Sequence, residues 1–104
     1  MSARRRLPHR RSAVALDIEH TGHRYRLQLG YFPNRGGVAE VFVDSAKPDS
    51  ALDAVAADAS ILVSLLLQFG ATPAEIGHAL RRNPDGSPAS LIGAVIDQIA
   101  KESQ

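Results

Sequence analysis

The chain contains no cysteine and no tryptophan, and only one methionine. The absence of thiol excludes disulfides, Cys-ligated zinc, iron–sulfur clusters and any thiol or radical-relay catalysis by this chain. Aromatics are scarce, at 5%, so a stacking platform for nucleic-acid bases has little to be built from. No apolar h-region follows the basic N-terminus, so no secretory leader is read, and the cytoplasm is the expected location. No glycine lies in a G-x-G-x-x-G or P-loop frame, and Gly30, Gly36 and Gly37 read as turn residues. No serine sits in a nucleophile-elbow pattern.

What is present is one domain's worth of chain, 104 residues, with an uneven charge distribution. The net charge of +1 hides a division. Arg4, Arg5, Arg6, Arg10 and Arg11 crowd into the first twelve positions, and the remainder carries seven basic against eleven acidic residues. A basic, flexible arm over 1–12 therefore precedes an acidic body over 13–104.

In the body, Val14, Leu16 and Ile18 alternate with Ala15, Asp17 and Glu19, the period of a half-buried strand. Thr21-Gly22 makes a turn. Tyr25, Leu27, Leu29 and Tyr31 then alternate with Arg24, Arg26 and Gln28. After the Pro33–Gly37 turn signal, a third strand runs from Val38 to Val43. Short links favour an antiparallel meander.

A long helix follows, from Asp49 to Gly70. Pro48 lies just outside it, Asp49 or Ser50 serves as N-cap, and Gly70 with Pro73 ends it. It is apolar almost all round between Ile61 and Phe69, so it is expected to be covered on more than one side. Ser60, Ser64 and Gln68 form a narrow polar line at i, i+4 spacing, read either as a helix seam or as a subunit contact. Its length approaches that of a membrane span, but Asp53 and Asp58 within it argue against one. A second helix, capped by Thr72 and opened by Pro73, is expected through Arg82. A third is expected from Ser87-Pro88, with Leu91, Ile92, Val95, Ile96 and Ile99 on its apolar stripe. The fold class is α+β: a three-stranded antiparallel meander, then one long buried helix and two shorter helices packed on the sheet. So small a sheet leaves edges and one face to cover, which favours self-association into a homo-oligomer or docking to a partner.

Catalytic and metal constellations are weak. His20 and His23 flank a turn three residues apart, but zinc needs further ligands, and His9 and His78 lie elsewhere. No metal and no cofactor is expected. Arg24 and Arg26 either extend a basic patch or pair with Asp17 and Glu19 across the hairpin, and pairing is favoured. The arginine arm is suited to phosphates, of nucleic acid or of a nucleotide.

The ordered series of short motifs resembles the TSCPD domain. Leu7-Pro8 followed by Arg10, Arg11 and Ser12 is similar to that family's opening. Gly22-His23, Tyr25, Gly30 and Tyr31 are similar to its Gly-His … Tyr … Gly-x-Tyr run, and Glu40-Val41-Phe42 to its third strand. Lys47-Pro48-Asp49-Ser50 and Ser64 to Gly70 complete the likeness. The cysteine that gives the domain its name is missing, and the turn from Pro33 to Val38 and the step before Pro73 are each one residue longer. The resemblance implies kinship with adenosylcobalamin-dependent (class II) ribonucleotide reductases, whose catalytic cysteines, substrate site and cobalamin site lie in other domains. It therefore implies a non-catalytic accessory module, binding a protein partner such as the reductase, or a nucleotide. Arg10, Arg11, His23 and Lys47 are the candidate phosphate or partner contacts, with Arg24 and Arg26 beside them. The alternatives are an oligomer that sequesters cyclic nucleotides in inter-subunit pockets, or a DNA-binding accessory protein using the arm.

Overall fold

The computed structural model describes residues 3–9, 11–34, 36–44 and 50–102. Two site candidates, Arg10 and Lys47, and the alternative N-cap Asp49 lie outside these.

Three strands, β1 (Ala13–His20), β2 (His23–Tyr31) and β3 (Val38–Asp44), form one antiparallel sheet in the order β1-β2-β3. The register pairs Leu16 with Leu27, Asp17 with Arg26 and Leu29 with Val41. Thr21 and Gly22 both take positive φ, 50° and 80°, the geometry of the two-residue hairpin loop that matches strand twist. The expected meander is therefore the observed one. One face of the sheet, with Tyr25, Leu27, Leu29, Val41 and Val43, is buried. The other carries Asp17, Arg26, Gln28, Phe42 and Asp44, all exposed.

Helix α1 (Ala51–Gln68) starts where the Ser50 hydroxyl accepts the Asp53 N–H at 3.0 Å. It ends in a Schellman motif. The Ala71 N–H donates to the Leu66 carbonyl, the Gly70 N–H donates to the Leu67 carbonyl, and Gly70 takes φ +106°. Helix α2 (Pro73–Ala79) opens with a full capping box: the Thr72 hydroxyl accepts the Glu75 N–H, and the Glu75 carboxylate accepts the Thr72 N–H. Helix α3 (Leu91–Glu102) begins with the Ser90 hydroxyl accepting the Gly93 N–H.

Two helix boundaries differ from expectation. The second helix stops at Ala79, not Arg82, and the third starts at Leu91, not Pro88. The reason is a small hairpin-like turn. Arg82 bridges Pro88, the Asn83 N–H donates to the Ser87 carbonyl, and Asp85 accepts both the N–H and the hydroxyl of Ser87. Ser87 is thereby engaged in the turn, and Ser90 takes over as cap.

Leu27, Leu29, Val41, Val95, Ile96 and Ile99 are the largest fully buried side chains, and each stabilises the fold by about 1.5–3 kcal/mol. α3 supplies half of them. α1 packs chiefly along β3, and only one side of it is covered within the subunit.

Candidate functional site

The region with the most polar structure lies where the arm, β3 and the C-terminal half of α1 meet. β3 is a sheet edge, so every other residue presents a backbone N–H and C=O away from β2. α1 supplies their partners. The Ser64 hydroxyl accepts the Val41 N–H at 3.0 Å and lies 2.8 Å from the Ser60 carbonyl and 3.3 Å from that of Val41. The Gln68 amide donates to the Ala39 carbonyl at 3.1 Å. The Ser60 hydroxyl donates back to the Ala56 carbonyl one turn earlier, at 2.7 Å. Ser60 and Gln68 are buried. Ser64 and Gln68 fasten α1 to the edge of β3 inside one subunit, and Ser60 bonds within α1 itself. No buried side-chain nitrogen or oxygen is left without a partner among the described residues.

The arm lies against this junction. The Arg5 N–H donates to the Gln68 carbonyl at 2.7 Å, and the Arg4 guanidinium donates to the Gln68 side-chain oxygen at 2.8 Å. The Arg5 guanidinium sits 3.9 Å from the Phe32 ring centroid, a cation–π contact. Arg11 pairs with Glu40 at 2.6 Å and also donates to the Pro8 carbonyl. Gly30 makes room for this pair, since a Cβ there would sit 2.5 Å from the Glu40 carboxylate.

Between arm and body is an open hollow of about 380 Å³ lined by Arg4, Arg6, His9, Arg11, Glu40 and Gln68. Among these, Arg4 and Arg11 are engaged internally, while Arg6 and His9 are exposed. Arg4, Arg6 and His9 were not singled out in sequence as contacts. The arm's charge count was the signal, but the sequence did not tell which arginines turn inward.

The other candidates are dispersed. His23 sits exposed at the β1–β2 turn opposite His20, away from the arm junction. Arg26 pairs with Asp17 at 3.1 Å across the hairpin, the expected use; Arg24 stands opposite Glu19 in register. No group of three or more His, Asp or Glu able to hold a metal ion occurs among the described residues.

A third ion pair lies between the turn after α2 and α3. Arg82 grips Asp97 with two bonds of 2.7 Å, joining the turn before α3 to α3 itself. The hydrogen bond from Arg82 holds the Asp97 carboxyl below its ordinary range. Burial, assisted by the negative charge of Glu102, pushes the Tyr31 phenol up.

The last surface is apolar. Leu52, Val55, Ile61, Leu62 and Leu66 on α1 are 47%, 65%, 54%, 61% and 45% exposed. The helix was expected to be covered on more than one side; within the subunit this side faces water.

The model of the TSCPD domain matches residues 4–102. The chain belongs to the TSCPD domain family. TSCPD domains are associated with ribonucleotide reductase. The TSCPD match takes in the arm from Arg4, the seam and all three helices, so the arm junction lies within the family's span. No curated protein and no solved structure matches the chain.

Proposed function

We propose that this chain is a non-catalytic accessory module that works with a ribonucleotide reductase by protein–protein contact, as a homo-oligomer. The observation that carries this reading is the apolar face of α1, where five large aliphatic side chains face water at 45–65% exposure. Contiguous apolar surface of this kind marks an interaction site. Chemistry has no comparable support. The chain has no thiol, and the polar contacts at the arm junction fasten the arm, β3 and α1 to one another.

A second reading is favoured by one observation, the hollow lined by Arg4, Arg6, His9 and Arg11. Its cationic wall suits the phosphates of a nucleotide. Glu40 in the same wall, paired with Arg11, opposes an anion and places this reading second.

The test mixes the purified chain with the class II reductase encoded in the same genome. Comigration on gel filtration, with a change in the rate of nucleotide reduction, is the expected result. No comigration and no change in rate would refute the accessory role. Calorimetry against deoxynucleoside triphosphates and cyclic dinucleotides tests the second reading. Heat that disappears in Arg6→Ala supports a nucleotide in the hollow, and no heat removes it.

A further inference from the structure

Four of the exposed apolar residues of α1, Leu52, Val55, Leu62 and Leu66, share one face, which the half-buried Ala59 and the half-buried C-cap residue Phe69 complete. Leu52, Val55, Ala59, Leu62, Leu66 and Phe69 follow one another at intervals of three, four, three, four and three. This is the a/d heptad seam of a two-helix contact. It runs about 26 Å along the helix. The neighbouring face, about 100° round the helix, with Ala56, Ser60, Val63 and Leu67, is buried in the subunit. The seam is therefore a second, separate stripe with no function in the monomer fold.

We infer that α1 pairs with α1 of a second copy, antiparallel and about a two-fold axis passing between Ser60 and Ile61. The inference rests on the homo-oligomer part of the reading above and gives it an interface and a register. Three observations select this occupant. First, the seam is self-complementary when reversed: Leu62 falls opposite the small Ala59 of the second copy, Val55 opposite Leu66, and Leu52 opposite Phe69. Large thus meets small at the centre, which lets the two helix axes approach closely. Second, charge is divided along the helix. Asp53 and Asp58 lie in its N-terminal half, while Arg4 and Arg5 are fastened to its C-terminal end at Gln68. Reversal brings each arginine pair toward the acidic half of the other copy, whereas a parallel pair would bring the two acidic halves together. Third, the exposed fractions of Leu52, Val55, Leu62 and Leu66 amount to apolar area on the order of 400 Å² per copy, as much as the main apolar patch of a typical monomer. Two such patches come to roughly 800 Å², the size of a weak, reversible contact.

The cysteine-free sequence makes the test direct. Light scattering on the full chain across concentration is expected to show a dimer that dissociates on dilution. Leu62→Lys is expected to give a monomer with an unchanged circular dichroism spectrum. Val55→Cys and Leu66→Cys are then made singly. In the antiparallel register each lies about 16 Å along the axis from its own counterpart, beyond disulfide reach. Neither alone is expected to cross-link on oxidation, whereas a mixture of the two is expected to give the mixed disulfide dimer. A monomer at every concentration overturns the inference, as does self-cross-linking of Val55→Cys, which would mean a parallel pair. So does a monomer that instead cosediments with phosphatidylcholine–phosphatidylserine vesicles through Leu62. Failure here and failure of the accessory role are separable. A monomer that still comigrates with the reductase sinks only the α1 pairing. An antiparallel dimer that ignores the reductase sinks only the accessory role.

Discussion

Removing the Ser64 hydroxyl is expected to cost far more than removing that of Ser60, one turn away on the same polar line. Ser64 accepts the Val41 N–H at 3.0 Å, and Val41 is fully buried. In Ser64→Ala that N–H faces the helix with no acceptor, and a buried donor left unpaired costs about 1–3 kcal/mol. Alanine's better helix propensity returns up to ~0.5 kcal/mol, leaving a net loss of about 1–2 kcal/mol. For a domain of this size that lowers Tm by roughly 5–15 °C. Ser60 differs because its hydroxyl only donates back to the Ala56 carbonyl of its own helix. Such back-bonding adds little, so Ser60→Ala is expected to fall within about 0.5 kcal/mol of wild type. Thermal melts of both variants give the comparison. Amide hydrogen exchange supplies a local readout, with protection of the Val41 amide expected to fall in Ser64→Ala and to hold in Ser60→Ala. Equal costs in the two variants, or undiminished protection at Val41, would refute the claim that α1 closes the edge of β3.

Two further outcomes follow from the same contacts. Gly30→Ala puts a Cβ 2.5 Å from the Glu40 carboxylate and 2.6 Å from its Cγ, which displaces Glu40 and separates it from Arg11; urea unfolding is expected to show a loss of about 1–3 kcal/mol. In a Glu40→Ala background the same change is expected to be near neutral, so the pair is non-additive. Asp97 gives a pH signature. Its carboxyl is held low by the hydrogen bond from Arg82, so its contribution is present above the ordinary carboxyl value near 3.8 and is lost as pH falls through the depressed one. Asp97→Asn is expected to melt below wild type at pH 7, with the gap closing below about pH 4. The effect is small, since both side chains are more than a third exposed; a gap that does not change with pH would exclude the ion pair as its source.

Much of the fold was legible because it is written in local patterns. The alternation in β1 and β2 gave the strands and even the Arg26–Asp17 pair, since register follows once a two-residue turn is placed. Ser50, Thr72 and Gly70 each acted in the cap or stop they suggest. The mistaken start of the third helix has a definite cause. Ser87-Pro88 and Ser90 are both plausible openings by local chemistry, and the choice was made by the bridge between Arg82 and Pro88 and the hold of Asp85 on Ser87. Partners several residues away decide such cases, and propensity does not record them.

The direction of the α1 seam illustrates a deeper limit. Periodicity gave the grouping of Ser60, Ser64 and Gln68, but a period gives only relative angles around a helix, not which angle faces inward. A polar line on an otherwise apolar helix suggests water or a partner outside, on the premise that polar groups leave the core. Here the premise fails because what α1 packs against is itself polar: the unpaired N–H and C=O groups of an edge strand. The Ser64 hydroxyl and the Gln68 amide are better neighbours for that edge than leucines, since they satisfy it. Once the polar line turns inward, the helix must turn aliphatic side chains outward, because it has few other residues to offer. The burial of Gln68 and the exposure of Leu62 are thus one fact about one helix rotation. That rotation leaves Leu52, Val55, Leu62 and Leu66 facing water, so the same sequence that closes the sheet edge exposes them.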